Sequence, residues 1–67
     1  MAIVKVIEVI AESKESWEAA TQNAIDHASK SINNIQSIYI KEFKASVKNN
    51  LVDKYLVNAK VSFTVDE

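Results

Sequence analysis

The segment "LVDKYLVNAKVSFTV", residues 51–65, alternates between apolar and polar side chains over most of its length. The apolar set, spaced by two residues, consists of Tyr55, Val57, Ala59, Val61, Phe63 and Val65. The polar set between them consists of Lys54, Asn58, Lys60, Ser62 and Thr64. Because successive side chains of a β-strand point to opposite faces of its sheet, this alternation predicts a strand with one buried and one polar face.

A second strand is predicted immediately upstream, over "SIYIKEFKASV", residues 37–47. The connection between the two strands contains Asn49 and Asn50, and asparagine tolerates the positive φ that both central residues of a two-residue hairpin turn require. The sequence therefore predicts an antiparallel hairpin. The cross-strand pairs expected from such a turn are Val47 with Val52 and Phe43 with Leu56.

The amino-terminal segment "IVKVIEVI", residues 3–10, is rich in β-branched residues and predicts a further strand. Both of its faces are largely apolar, since Ile3, Ile7 and Val9 alternate with Val4, Val6 and Ile10. A strand that is apolar on both faces is typical of one that is covered on both sides.

The intervening segment, residues 11–35, predicts a helix. Ser13 suits the N-cap and Glu15 the first turn, where the helix dipole favours an acid, while Asn33 and Asn34 suit the end of the helix. Small residues dominate the apolar stripe and would allow the helix to lie close to a sheet. The stripe consists of Trp17, Ala20, Ala24, Ala28, Ile32 and Ile35.

The predicted fold is therefore α+β in the order β-α-β-β, with one helix packed on a three-stranded antiparallel sheet in a single domain, residues 1–67. One helix covers only one side of such a sheet, which leaves a surplus apolar face on a small protein. We expect this face to be covered by other copies of the chain. Its predicted members are Tyr39, Phe43, Ala45, Val47, Val52 and Leu56.

The composition excludes several classes of protein. The chain has no cysteine and no glycine, which excludes disulfides, thiolate metal sites and glycine-rich phosphate loops. Its one histidine, His27, is expected to be a half-exposed helix residue, and Trp17 is expected to lie in the core. A net charge of −1 gives no reason to expect nucleic acid or a membrane as partner. "MAIVKVIEVI" is unlike a signal peptide, so a cytoplasmic protein is expected.

Three blocks of the sequence together resemble the dodecin family: "KVIEVIAES" at residues 5–13, "SWEAATQNAIDHASKSINNI" at residues 16–35 and "YLVNAKVSF" at residues 55–63. The resemblance implies a hollow homododecamer that binds a flavin, riboflavin or FMN, and stores it without being an enzyme. "AES" at residues 11–13 and Asn49-Asn50 differ from the family's usual turn residues, but both suit a turn.

The resemblance also implies where the flavin would bind. Ser37 stands where the family has a tryptophan that stacks on the flavin, and Leu56 stands where it has a ring-contacting glutamine. Glu42 matches an acid near the ribityl chain, and Lys44 matches a residue suited to a flavin phosphate. Tyr39, on the same strand face as Ser37, is a candidate substitute for the tryptophan. We therefore expect flavin affinity to be weak or altered.

Two alternatives to flavin binding stay open. A dodecin-shaped shell could hold Ca²⁺ or Mg²⁺ through carboxylates that meet across symmetry axes, because both ions prefer oxygen ligands. The candidate carboxylates are Glu12, Glu15, Glu42 and Asp53. The shell could also be purely structural, with no ligand.

Overall fold

The computed structural model describes residues 2–66 and contains four elements. Strand β1 spans Ala2–Ser13, helix α1 spans Trp17–Ala28, strand β2 spans Ile35–Lys48 and strand β3 spans Leu51–Asp66. The predicted order β-α-β-β is confirmed, and each strand is longer than the sequence predicted. In this part of the chain, no helix has both the length and the apolar character needed to cross a membrane.

The three strands form one antiparallel sheet in the order β1-β3-β2. Strand β3 is central, so Val61 pairs with Ile7 on one side and with Ile38 on the other. The alternation of residues 51–65 reflects the two faces of the sheet, because alternate side chains of β3 point toward the helix and away from it. The side chains of Val57 and Val61 are fully buried.

Helix α1 packs on one face of the sheet through its alanines. Ala20, Ala24 and Ala28 are buried, and they lie on the same side of the sheet as Val57 and Val61. Since alanine adds little bulk between backbones, the helix can lie close to the strands. The predicted alanine stripe is therefore confirmed as the helical half of the core.

The predicted start of the helix is wrong by three residues. Ser16, not Ser13, is the N-cap, and its Oγ accepts a hydrogen bond from the Ala19 backbone N–H at 2.9 Å. Glu18, not Glu15, is the acid in the first turn. Ser13 instead ends β1, because its backbone still pairs with β3.

The helix also ends earlier than the apolar stripe predicted. It stops at Ala28, and the Ile32 backbone N–H donates to the Ala28 carbonyl at 3.0 Å in the turns that follow. Asn34 has φ of 63°, the left-handed conformation expected of it, but it lies six residues beyond the helix. Ile35 begins β2 rather than ending the helix.

The hairpin turn is confirmed, since Asn49 and Asn50 have φ of 53° and 64°. Val47 lies opposite Val52 as predicted. The second predicted pair is wrong, because Phe43 lies opposite Val57 and Leu56 lies opposite Lys44. A bulge causes the shift.

The bulge lies between Ser46 and Val47 of β2, which pair with Lys54 and Val52, so that Asp53 is the extra residue of β3. The extra residue shifts the pairing by one position. As a result, the β2 residues that precede the bulge lie on the face of the sheet opposite to the one predicted without it. Phe43 and Ala45 therefore lie on the helix face of the sheet, where the sequence had predicted the opposite face.

Trp17 fixes the start of the helix against the hairpin. Its ring meets Tyr55 and Phe43 edge-on, with centroids 5.0 Å and 6.0 Å apart. Its Nε1–H donates to the Lys44 carbonyl at 2.8 Å. The side chain is 38% exposed, so Trp17 lies at the rim of the core rather than in its centre.

Candidate functional site

The face of the sheet turned away from helix α1 is the candidate functional surface, and we call it the open face. Its side chains follow from the register, since they alternate with the residues that the helix covers. On β1 they are Val4, Val6, Glu8, Ile10 and Glu12. On β2 they include Ser37, Tyr39, Glu42 and Lys44. On β3 they include Lys54, Leu56, Asn58, Lys60, Ser62 and Thr64.

All five residues predicted for flavin, four from the family resemblance and Tyr39 as a candidate substitute, lie on the open face, along strands β2 and β3. In cross-strand order the pairs are Ser37 with Ser62, Tyr39 with Lys60, Glu42 with Asn58, and Lys44 with Leu56. The structure therefore brings these five side chains to one surface. Their role in binding stays a prediction.

A bulge is responsible for this common orientation. Between Ile40 and Glu42, β2 carries Lys41 as an extra residue while β3 advances by one. Without it, side chains at Tyr39 and Glu42 would point to opposite faces, because an interval of three residues reverses direction in a regular strand. The bulge places Tyr39 and Glu42 on the same surface.

Apolar and aromatic side chains dominate the amino-terminal part of the open face. Val4, Val6 and Ile10 of β1 are 64%, 54% and 72% exposed, and Tyr39 of β2 is 65% exposed. These residues confirm that the face away from the helix carries surplus apolar surface. Most of it comes from β1, whereas the sequence had predicted it to come from the hairpin.

Two ion pairs cross the open face. Glu8 of β1 reaches Lys41 of β2 at 3.5 Å, and therefore spans the central strand. Glu12 reaches Lys54 at 3.4 Å. In both pairs the side chains remain substantially exposed, so each pair contributes about 0 to 1 kcal/mol to the free energy of unfolding.

Asn58 lies at the centre of the open face, on the central strand. Its Nδ2 donates to Glu42 Oε1 at 3.4 Å. Its Oδ1 is buried and accepts no hydrogen bond from any described residue. An unsatisfied buried acceptor costs about 1 to 3 kcal/mol, so a hydrogen bond from water, a ligand or another copy of the chain would stabilise this oxygen. The resemblance did not identify Asn58 as a candidate. The signal in the sequence was an amide side chain two residues after Leu56, and so on the same face of the strand.

The acidic residues considered for Ca²⁺ or Mg²⁺ do not form a metal site within residues 2–66, where no three His, Cys, Asp or Glu side chains come together. Glu12 is paired with Lys54, and Glu42 accepts from Asn58. Asp53 lies at the hairpin bulge. A cation site would therefore need carboxylates from more than one copy.

Other side chains considered from the sequence lie elsewhere. His27 is exposed in the last turn of the helix, as expected. A cavity of about 320 Å³ lies where the chain passes from helix to β2, and no charged side chain lines it. Its lining residues are Ser31, Ile32, Asn33, Asn34, Phe63, Thr64 and Val65.

The geometry defines a small α+β protein whose sheet is covered beneath the helix and whose open face carries aromatic, apolar and charged groups. The family model of the dodecins matches residues 3–66, which is nearly the whole chain. The chain therefore belongs to the dodecin family. No protein among the curated sequences matches it.

Solved structures of dodecins superimpose closely on this chain. An arginine-to-alanine mutant of the Thermus thermophilus dodecin has a TM-score of 0.94 at 28% identity, with 100% of both chains covered. The dodecin from Streptomyces coelicolor has a TM-score of 0.94 at 21% identity, covering 98% of this chain and 94% of that one. The second likeness, given its low identity, shows the fold alone.

A third structure is that of a Mycobacterium tuberculosis protein described as a calcium-chelating immunodominant antigen, calcium dodecin, with a novel calcium-binding site. It has a TM-score of 0.84 at 30% identity, covering 96% of this chain and 91% of that one. Within the same family, therefore, one similar protein is described by its calcium binding.

Flavin is the ligand that the family implies, and the residues of the open face fit it. Tyr39 offers an exposed aromatic ring, Val6 offers apolar surface, and Asn58 has a buried Oδ1 with no donor among the described residues. Lys44 and Lys60 add positive charge beside these groups. Ser37 offers no aromatic surface, so the fit lacks the family's stacking partner.

Proposed function

We propose that this chain is a non-enzymatic dodecin that assembles as a homododecamer and binds riboflavin or FMN on its open face. The observation that carries the proposal is the position of the five predicted residues, which share one surface that the helix leaves uncovered. Storage of a flavin requires a binding surface and no catalytic group.

Assembly is supported by the exposed apolar surface. Val4, Val6 and Ile10 are 64%, 54% and 72% exposed, so full burial of each would stabilise the assembly by about 1 to 2 kcal/mol. The hairpin beyond Tyr55 extends past the end of β1 at Ser13 and is only two strands wide. Two-stranded hairpins are marginally stable alone, so contact with further copies of the chain would stabilise it.

Flavin binding would use the open face in three ways. A flavin brings a flat aromatic ring, and Tyr39 offers a ring on which it could stack. Glu42 could accept hydrogen bonds from the ribityl hydroxyls. Lys44 could pair with the phosphate of FMN. Since Ser37 stacks on nothing, and aromatic pairs contribute about 0.5 to 1.5 kcal/mol beyond area burial, the affinity is lower than a tryptophan at this position would give.

A titration of riboflavin fluorescence against the purified assembly tests the proposal. We expect the parent protein to quench the fluorescence, and Ser37→Trp to tighten binding by at least about tenfold, which corresponds to about 1.4 kcal/mol. Gln22→Trp, on the exposed side of the helix, is the matched control and should bind as the parent does. Absence of quenching by the parent would refute flavin binding by this chain, whether or not Ser37→Trp quenches.

Divalent cation binding is the second candidate, and the Mycobacterium tuberculosis calcium dodecin favours it at 30% identity. Carboxylates of Glu12, Glu15, Glu42 and Asp53 would have to converge from several copies. Thermal melting of the assembly separates this candidate from the first. Cation binding requires that EDTA lowers the melting temperature and that Ca²⁺ or Mg²⁺ restores it, whereas an unchanged temperature argues against it.

A further inference from the structure

Asn58 holds a distinctive position on the open face. It lies on the central strand, opposite Ile10 on one side and Glu42 on the other. It shares its face with Leu56, the residue at the position implied to contact the flavin ring, and lies about 7 Å from it along the strand. Leu56 has no polar atom with which to contact the ring. Asn58 is the nearest amide on the same strand and face.

The side-chain amide of Asn58 makes one hydrogen bond within the described residues, through its nitrogen. Nδ2 donates to Glu42 Oε1 at 3.4 Å, which is long for such a bond. Oδ1 is buried and lacks a donor among the described residues. The amide therefore has an acceptor without a hydrogen bond and a donor whose hydrogen bond is long. Rotation about χ2 exchanges the positions of the oxygen and the nitrogen.

The groups around Asn58 are displaceable. The ion pair between Glu8 and Lys41 crosses the central strand, and Glu8 lies opposite Lys60, the next residue on the face. Each side chain of the pair is 48% exposed, so solvent already competes for it. A ligand that approaches the centre of the open face would move these two flexible side chains and leave the backbone in place.

We propose that Asn58 is a specificity-determining residue that hydrogen-bonds the pyrimidine edge of the flavin ring, in place of the amide that Leu56 lacks. That edge carries one N–H between two carbonyl groups. Oδ1 accepts from the ring N–H, and Nδ2 donates to a neighbouring carbonyl. The proposal rests on the proposed flavin function, and names the residue that distinguishes this ring from other flat aromatic molecules.

The test compares riboflavin with N3-methylriboflavin, in which a methyl group replaces the ring hydrogen. Both are titrated by fluorescence into the parent assembly, into Asn58→Leu and into Asn33→Leu. The last is the matched control, because Asn33 is an exposed asparagine in the loop before β2. Size-exclusion chromatography establishes that each variant remains assembled.

Methylation should weaken binding to the parent and to Asn33→Leu by about tenfold, because the hydrogen bond is lost and Oδ1 stays unsatisfied. It should leave binding to Asn58→Leu nearly unchanged, since that variant has no bond to lose. A role of Asn58 in folding alone would not produce this dependence on the ring hydrogen.

Three outcomes overturn the proposal. Equal binding of the two flavins by the parent does so without any variant, even if Asn58→Leu fails to assemble. An equal effect of methylation on the parent and on Asn58→Leu assigns the contact to another residue. Both results leave flavin binding itself intact. No binding of riboflavin by the parent refutes the proposed function and this inference together.

Discussion

The two faces of the sheet are built from the same three strands, yet only the part that lies beneath the helix is completed within the chain. On the helix face, Val57 and Val61 are fully buried beneath the alanines of α1. On the open face, Val4 and Ile10 are 64% and 72% exposed among charged neighbours. Beneath the helix the sheet is closed by packing, whereas the open face is left for contacts that a single copy does not provide.

The difference also separates what stabilises the fold from what serves function. Successive side chains of β3 point to opposite faces, so one residue can pack in the core while its neighbour lies on the open face. Val57 stabilises the core, whereas Asn58, the next residue, has an oxygen with no donor among the described residues. Substitutions at adjacent positions of β3 should therefore have very different consequences.

The largest expected effect comes from placing a charge at Val61, under the helix. Val61→Asp should destabilise the fold by about 3 to 5 kcal/mol, because it buries an unpaired carboxylate among apolar side chains. Circular dichroism with thermal melting measures the loss.

The matched control is Ser62→Asp, one residue further on and on the open face. It should change the free energy of unfolding by about 1 kcal/mol, far less than Val61→Asp, because Ser62 is only half-buried and a carboxylate there keeps contact with water. Similar losses at both positions would contradict the distinction between the two faces.

Local signals explain which parts of the fold could be predicted. Strand β3, the alanine stripe and the Asn49-Asn50 turn each depend on short-range patterns, and each was predicted correctly. The helix start was missed because Ser13 and Ser16 both suit an N-cap, and the choice between them depends on how far β1 pairs with β3.

The residues of the open face were harder to predict, because β-bulges determine which side chains of β2 and β3 point to that face. Lys41 and Asp53 are extra residues whose presence depends on pairing across strands. The sequence therefore placed Tyr39 on the same face as Phe43, whereas the structure places it with Glu42. Whether the side-chain oxygen of Asn58 has a hydrogen-bond donor also depends on its neighbours in space. No sequence pattern indicates that it lacks one among the described residues.

A smaller effect is expected when a charge is placed on the open face at Ile10. Ile10→Lys should keep the fold of each chain but weaken assembly by about 1 to 2 kcal/mol per buried site, because the apolar surface is lost from the contact between copies. Size-exclusion chromatography with light scattering should show smaller species at low protein concentration.

Gln22→Lys, on the exposed side of the helix, is the control for Ile10→Lys and should assemble as the parent does. An Ile10→Lys protein that remains as large as the parent would mean that this part of the open face is not covered by a second copy.

The smallest expected effect concerns the ion pair that joins the outer strands across β3. A double-mutant cycle with Glu8→Gln and Lys41→Met should give a coupling of less than about 1 kcal/mol, because both side chains are half exposed and screened by water. The coupling should fall further as salt is added. Thermal melting of the four proteins at two salt concentrations measures it. A coupling well above this value would mean that the pair is buried in the assembly. It would then act as a fixed part of the contact between copies, and a ligand could not displace it to reach Asn58.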